Sequence, residues 1–417
     1  MMTHLENDYK NFYISFLIII IVNIVNFYTN FINSNINRIL EVFIGLHIFL
    51  SIFFVTYKIN FINFFLKGKN KLFFILLLYC LFQFLRPPAA GYGTLISNYW
   101  LSKFGGLNYD ALFLLPLFYF WSFHENSIYW FERLSLLSVK IGILLIPICY
   151  LLNLPIFYVA FFPTYYLLAG YEYSDLKRKI WILSGFLIGN CFFFIEVHRS
   201  GNIRSILILL VLFIIKLNSK KINIISNYIF LTIPLIFFMS YFYLEQSVFI
   251  LIFEKINLTD SIYSVDTRTF IYADLIDHFT SFGNIIIGDG GFANYYSDYF
   301  YKWKLQFTSG DNPFRVNSEV GLLGIILKGG LFLLLLIFLL IFNSIQTSYK
   351  YSNNNYTKTL SLVIGTYFMF TCVENAFVFD LLNISFWVML SIVGNIKLNS
   401  FNEKEMMQIF EKVNNDS

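Results

Sequence analysis

Residues 321–342 read GLLGIILKGGLFLLLLIFLLIF, an apolar run interrupted by a single charge, Lys328. A helix of this length covers the ~30 Å hydrocarbon core of a bilayer, and a soluble domain has no use for so unbroken a stretch. The reading decides the fold class, because inside lipid each backbone donor and acceptor must be satisfied within its own segment.

Similar stretches recur outward from it in both directions. Hydrophobic residues make up 58% of the chain and charged residues 13%, and the mean hydropathy is +0.66. These values exclude a soluble domain and point to an all-α, polytopic integral membrane protein. About twelve transmembrane helices are predicted, at 12–32, 39–56, 72–86, 110–123, 136–153, 154–170, 180–197, 203–217, 222–244, 318–343, 359–380 and 381–397. The organisation that follows has transmembrane helices 1–9 in 1–244 and a large outer loop with short amphipathic helices in 245–317. Helices 10–12 follow in 318–397, and a cytoplasmic tail in 398–417. No small-residue cleavage site stands behind the first stretch, which reads as a retained anchor.

Charge sets the orientation. With the N-terminus inside, the inner segments and tails collect 18 of the 29 basic residues, the outer ones 10, and Lys328 lies within a span. Cytoplasmic positive charge follows the topology rule, so both termini are placed inside. The inner charges are mostly lysine, with Arg133 and Arg178 as exceptions. Six of the eight arginines fall outside: Arg38, Arg86, Arg199, Arg204, Arg268 and Arg315. The topology rule does not account for these. A guanidinium offers a rigid fork of donors suited to phosphate.

Other classes are excluded more quickly. Cys80, Cys149, Cys191 and Cys372 all fall in predicted spans with no C-x-x-C pair, and read as small packing residues. The five histidines are dispersed, so no metal site is legible and no cofactor is expected. A net charge of +4 is explained by topology, and no nucleic acid partner is expected. The chain has no D-x-D motif and no glycine-rich phosphate loop on the inner side, which argues against a nucleotide-sugar donor or an ATP-driven pump.

Two outer segments are long enough to be functional. Segment 87–109 carries Tyr92, Tyr99, Trp100 and Tyr109. Loop 245–317 is rich in aromatics, among them Tyr295, Tyr299 and Trp303, which separates it from disordered sequence. Within it, 269–282 reads as an amphipathic helix. Three patches carry the chemistry. They are Glu196-Val197-His198-Arg199-Ser200-Gly201-Asn202-Ile203-Arg204 on an outer turn; Asp266-Thr267-Arg268-Thr269 with the turn Gly288-Asp289-Gly290-Gly291; and Phe314-Arg315-Val316-Asn317-Ser318-Glu319 leading into the next span. Each also has a plainer reading. Arg38 and Arg86 suit headgroup anchors, and Arg268 suits a pair with Asp266 or Asp274. Asn317-Ser318-Glu319 suits a helix cap, and the tyrosines and Trp303 suit interface anchors.

Taken together, the patches resemble the oligosaccharide repeat-unit polymerases and O-antigen ligases (the Wzy-like and WaaL-like families). The shared features are many spans with one large late outer loop, Arg199-Ser200 on the turn before it, and Arg268 opening an amphipathic helix. The turn Gly288-Asp289-Gly290 and the glycine-rich span after Asn317-Ser318-Glu319 complete the likeness, which covers about residues 180–345. The ligase branch carries a histidine just before that span, so the polymerase branch is favoured.

The resemblance implies a glycosyltransferase in the bacterial inner membrane. A glycan on undecaprenyl diphosphate is the donor, and a hydroxyl of the incoming repeat unit attacks its anomeric carbon, building an O-antigen or capsule. Arg199, Arg204, Arg268 and Arg315 would hold the leaving diphosphate, where fixed cations lower the barrier. Glu319 is the first candidate for general base, with His198, His278 and Asp289 behind it. Tyr295, Tyr299, Trp303 and Asn317 would contact sugar. A chain-length regulator is the partner that the family suggests. The alternatives are an O-antigen ligase and, from another class, a lipid-linked oligosaccharide flippase, for which Lys328 with Glu374 would be the charged pair near the midplane.

Overall fold

The computed structural model describes residues 70–86, 107–122, 126–151, 158–195, 199–217, 219–244, 268–281, 284–302 except 292 and 299, 314–315, 318–374, 377 and 380–415. The predicted spans 12–32 and 39–56, most of segment 87–109 and much of loop 245–317 lie outside these residues. So do His198, Tyr299, Trp303 and Asn317.

The described chain is almost entirely helical. Its elements are α1 (Lys71–Leu85), α2 (Leu107–Leu114), α3 (Leu117–Trp121), α4 (Ser127–Leu151), α5 (Thr164–Leu167) between two 3-10 turns, α6 (Leu176–Ile195), α7 (Arg199–Lys216) and α8 (Lys220–Leu244). Next come α9 (Arg268–Ser281), β1 (Tyr295–Tyr296), β2 (Phe314–Arg315), α10 (Gly321–Tyr351), α11 (Asn355–Phe370), α12 (Leu381–Gly394), α13 (Ile396–Ser400) and α14 (Glu403–Asn415). Three helical stretches are long and apolar enough to cross a membrane: Ser127–Leu151, Lys220–Ser240 and Gly321–Tyr351. Lys71–Leu85, Ala111–Phe120 and Leu381–Gly394 are apolar but shorter.

The layering is that of a membrane bundle. Helices α11 and α12 are buried on nearly every side, with Trp387, Tyr356, Phe368 and Phe386 among the largest enclosed side chains. Helix α8 packs along α11, α1 along α10, and α6 against α4 and α7. The outer faces of the surrounding helices carry bare aliphatic and aromatic residues, such as Leu78 and Phe82 on α1, Leu187 on α6, Phe213 on α7 and Ile229 on α8. So wide an apolar surface is unstable in water and suits contact with lipid.

Three predicted spans change shape. The span 110–123 divides into α2 and α3 around Pro116, which lacks the amide a continuous helix needs. The described part of the span 154–170, from 158 on, is a chain of short turns around α5, with Pro163 before it. The helix of the span 359–380 ends ten residues early, at Phe370, where Thr371, Cys372 and Val373 form a turn, and α12 starts anew at Leu381. The tail after 397 folds: α14 buries Met406, Phe410 and Val413, one helical stripe, against α4 and the 3-10 turn Leu168–Tyr173.

Helix α10 is broken. Gly330 has φ 71 and ψ 179, outside helical geometry, and the two halves meet there at an offset. A loop fills the break. Asp289 and Gly290 amides donate to the carbonyls of Leu327 and Lys328 at 2.8 and 2.9 Å, capping the first half. Leu331 and Phe332 amides donate to Ile285 and Ile286 at 2.8 and 3.1 Å, starting the second. Tyr79 of α1 donates to Ile287 O and Gly329 O, and Gln83 donates to Ile287 O. Every freed backbone group of the break named here thus has a protein partner, the condition for irregular backbone at membrane depth. Gly330 is nine residues into α10, about 13 Å along its axis.

Candidate functional site

The described candidate residues gather at one end of the bundle, the end that receives the loop. They form three clusters.

The first surrounds Arg204. The sequence places this residue on an outer turn, but α7 already begins at Arg199, so Arg204 lies inside the helix with only 9% of its surface exposed. Aromatic rings wall it in. Its guanidinium lies 4.9 Å from the Phe370 ring centre and 5.4 Å from that of Phe162. Tyr165, Tyr166, Thr366, Tyr367 and Leu382 join Arg204 around a cavity of about 30 Å³, enough for a water or two before any side chain moves. Tyr166 donates to Leu382 O at 3.3 Å, and Tyr367 donates to Asn383 Oδ1.

Asp380, two residues before the cavity-lining Leu382, is the N-cap of α12. Its Oδ1 accepts both the Asn383 amide at 2.7 Å and Asn383 Nδ2 at 2.9 Å. Burial is the largest influence on this carboxyl and lifts it to about 6, against the Asn383 hydrogen bonds and the charge of Arg204, which pull it down. Arg204, Asp380, Tyr166 and Tyr367 therefore share one electrostatic neighbourhood, in which burial holds the carboxyl above its ordinary range.

The second cluster joins two residues that the sequence offers as separate bases. His278 on α9 and Asp289 in the inserted loop meet, Nε2 to Oδ2, at 2.7 Å. Asp289 Oδ1 also accepts the Asn284 amide at 3.0 Å. Burial would raise the Asp289 carboxyl, but the hydrogen bonds from His278 and Asn284 and the charges of His278 and Arg86 outweigh it, so it lies below the usual range. A carboxylate so held is a poor base and a good orienter of imidazole. Arg86 donates from Nη1 to Gly288 O at 2.6 Å. Its reading as a headgroup anchor is corrected: it ties α1 to the loop.

The third cluster is the two-stranded ribbon, with Tyr295 opposite Arg315 and Tyr296 opposite Phe314. Arg315 Nη2 donates to Glu319 at 3.0 Å, and its guanidinium stacks 4.5 Å from the Phe300 ring centre. Glu319, the first candidate base, is thus the half-exposed partner of a candidate phosphate ligand. Tyr295 is fully buried, and burial pushes its hydroxyl up to about 12. Asp274 is raised by burial and by Asp277 and Asp298, against Ser297 and Arg315. Asp274 and His278 stand four residues apart on α9, one above the other, so α9 bridges the second and third clusters. Tyr272 of the same helix donates to Cys372 O at 2.7 Å, two residues beyond Phe370 of the Arg204 wall.

Arg199 and Arg268 open α7 and α9, and their side chains lie outside the described atoms. Lys328 is buried directly before the break. Glu374 lies at the start of α10, where its carbonyl accepts the Gly321 amide at 3.1 Å. The contacts thus place Arg204 and Arg315 in different clusters, where the sequence grouped them in one clamp. Asp380, Tyr166 and Tyr367 were not singled out in the sequence. The only signal for them was Asp380-Leu381-Leu382-Asn383, a cap motif at the head of an apolar run, and it says nothing of Arg204, which is 176 residues away. Comparison of the chain with known protein families, with characterised proteins and with solved structures finds no match to any of them.

Proposed function

We propose that the chain is a membrane glycosyltransferase that polymerises repeat units carried on undecaprenyl diphosphate into a surface polysaccharide. The observation that carries the reading is Arg204, an arginine held within the bundle by aromatic walls beside a cavity and a carboxylate. A guanidinium fixed in low dielectric stabilises a departing diphosphate far better than one in water, and its orientation is set before the reaction. Arg315 and the His278–Asp289 pair line the loop above, where a glycan would lie.

The test is a strain lacking the chain, complemented with wild type, Arg204→Lys or Arg204→Gln. Loss of the chain should leave single repeat units on the final carrier. Arg204→Gln should reproduce that profile, with a polymerisation rate about tenfold to a hundredfold down, the worth of one charge-assisted contact of roughly 1.5–3 kcal/mol. Long chains trapped on the lipid carrier would instead indicate a ligase.

One observation favours a second reading. A helix broken at Gly330 beside the buried Lys328 is the kind of feature that transporters use at their binding sites. A flippase requires that repeat units fail to cross the membrane when Lys328 is replaced. Normal crossing with failed polymerisation removes that reading.

A further inference from the structure

We infer that the seam between α4 and α6 binds the headgroup of an anionic phospholipid. Lys140, Arg133 and Lys177 are its cations, and the acyl chains lie along the bare helix faces beyond them. The site takes no residue from the Arg204 cluster, and the polymerase reading stands or falls without it.

Contacts fix how the two helices lie. Arg178 meets Glu132, Trp181 meets Lys140 and Gly185 abuts Val139, so α4 and α6 advance in the same direction. Their basic residues therefore collect at one end. Lys140 Nζ stands 5.7 Å from the Trp181 ring centre. Side chains on a helix lean toward its N-terminus, so this long stem carries its ammonium back toward Arg133 and Lys177. Lys177 is exposed and sits one turn before Trp181 on the same side of α6. Arg133 lies two turns before Lys140 on α4, where its Nη1 donates to the Tyr129 hydroxyl at 2.6 Å. Lys177 and Arg133 act on the Lys140 ammonium as like charges, and Asp175 opposes them. Glu132 and Asp175 are engaged: Glu132 accepts from Arg178 and Tyr356, and Asp175 Oδ1 accepts the Arg178 amide at 2.8 Å.

The surroundings of the cations select a lipid over a soluble anion. Tyr129 and Trp181 are ring types that settle at headgroup depth. Beyond them both helices turn bare and aliphatic, with Leu144 and Ile148 on α4 and Leu183 and Leu187 on α6. Cation, aromatic ring and aliphatic face thus follow one another in the order of a lipid's phosphate, interface and chain. A basic pocket between membrane helices holds acidic lipid by this arrangement. The charge pattern of the sequence puts this end inside, where the leaflet is negative.

The test follows tryptophan fluorescence of the full-length protein in phosphatidylcholine vesicles, with chain-brominated phosphatidylglycerol as the probe. A bound probe quenches Trp181, whose share of the signal is the difference from Trp181→Phe. That quenching should saturate at a low mole fraction, whereas chain-brominated phosphatidylcholine should quench less and without saturating. Lys140→Gln should weaken probe binding about fivefold, and its combination with Arg133→Gln and Lys177→Gln on the order of a hundredfold, at about 1 kcal/mol per cation. Lys404→Gln on the exposed face of α14 removes a charge elsewhere and should leave binding unchanged. Where the triple variant misfolds, Lys140→Gln against Lys404→Gln decides. Equal quenching by the two lipids, or equal binding by those two variants, overturns the site. So does displacement of the probe by inorganic phosphate at constant ionic strength, which would show an anion site indifferent to lipid.

Discussion

Gly330 shows how strictly single residues govern this molecule. Its φ of 71 is costly for any L side chain, and a Cβ there would lie 2.2 Å from Ile286 O. Gly288, at φ 68, faces it, with a Cβ position 2.5 Å from Gly330 N. Two backbones touch here with no room for a side chain. Gly330→Ala should therefore cost about 1–2 kcal/mol in backbone strain alone, with more from the clash. The measurable outcome is a lower melting temperature in detergent, with Leu331 and Phe332 amides exchanging faster as the loop lifts out. An unchanged exchange rate would mean that the loop is not held by this contact. The His278–Asp289 pair acts on the same loop through charge. Its carboxyl is depressed, so its contribution is present above the unfolded value of about 3.9 and lost as pH falls through the folded one. Exchange at Asp289 and Gly290 should stay slow from pH 7 to about 4 and quicken only below that. Asp289→Asn should bring the faster exchange to neutral pH.

At the scale of elements, the tail helix is the clearest case of sequence signal turned into packing. Helix α14 lays Phe410 over a network that α4, α6 and α11 close between them. Arg178 binds Glu132 at 2.5 Å with both side chains fully buried, and Tyr356 donates to Glu132 at 2.7 Å. Tyr173 donates to Glu403, which also accepts the Asn355 amide at 2.9 Å. This accounts for one of the two arginines that the sequence reading placed among the inner lysines: Arg178 is the buried partner of Glu132. Leaving one buried partner uncompensated should destabilise by about 3–5 kcal/mol. Glu132→Ala should thus lower the melting temperature far more than Lys404→Ala on the exposed face of α14. Removing 403–417 should have an intermediate effect, because it uncovers the pair without breaking it. Equal melting temperatures for all three would show that the network adds nothing to stability.

For the whole molecule, the sequence was legible wherever one-dimensional rules apply. Helices α1, α6, α8 and α12 fall within a few residues of their predicted places, because a helix satisfies its own backbone and hydropathy along the chain is enough to find it. The break in α10 was not legible, although Gly329-Gly330 was in plain view, because glycine in an apolar run permits a break without requiring one. The loop from 284 to 290 requires it, by supplying the hydrogen bonds that the broken helix loses. The candidate site divides in the same way. Side chains suited to phosphate and to acid–base work could be named from residue chemistry, which is local. Their partners could not, since His278–Asp289, Arg315–Glu319 and Arg204 beside Asp380 are set by how helices far apart in the chain come to lie together.

By itself, then, the sequence determined an all-helical chain suited to a membrane, its polar patches and the residues able to carry chemistry there. These follow from hydropathy and side-chain type, which act at each position regardless of the rest. Only the tertiary structure decided that Arg204 is enclosed, that Asp289 is paired with His278, and that Asp380 caps α12 within reach of the charge of Arg204. Burial and pairing set the ionisation and reach of those groups, and both depend on neighbours that the linear order does not reveal.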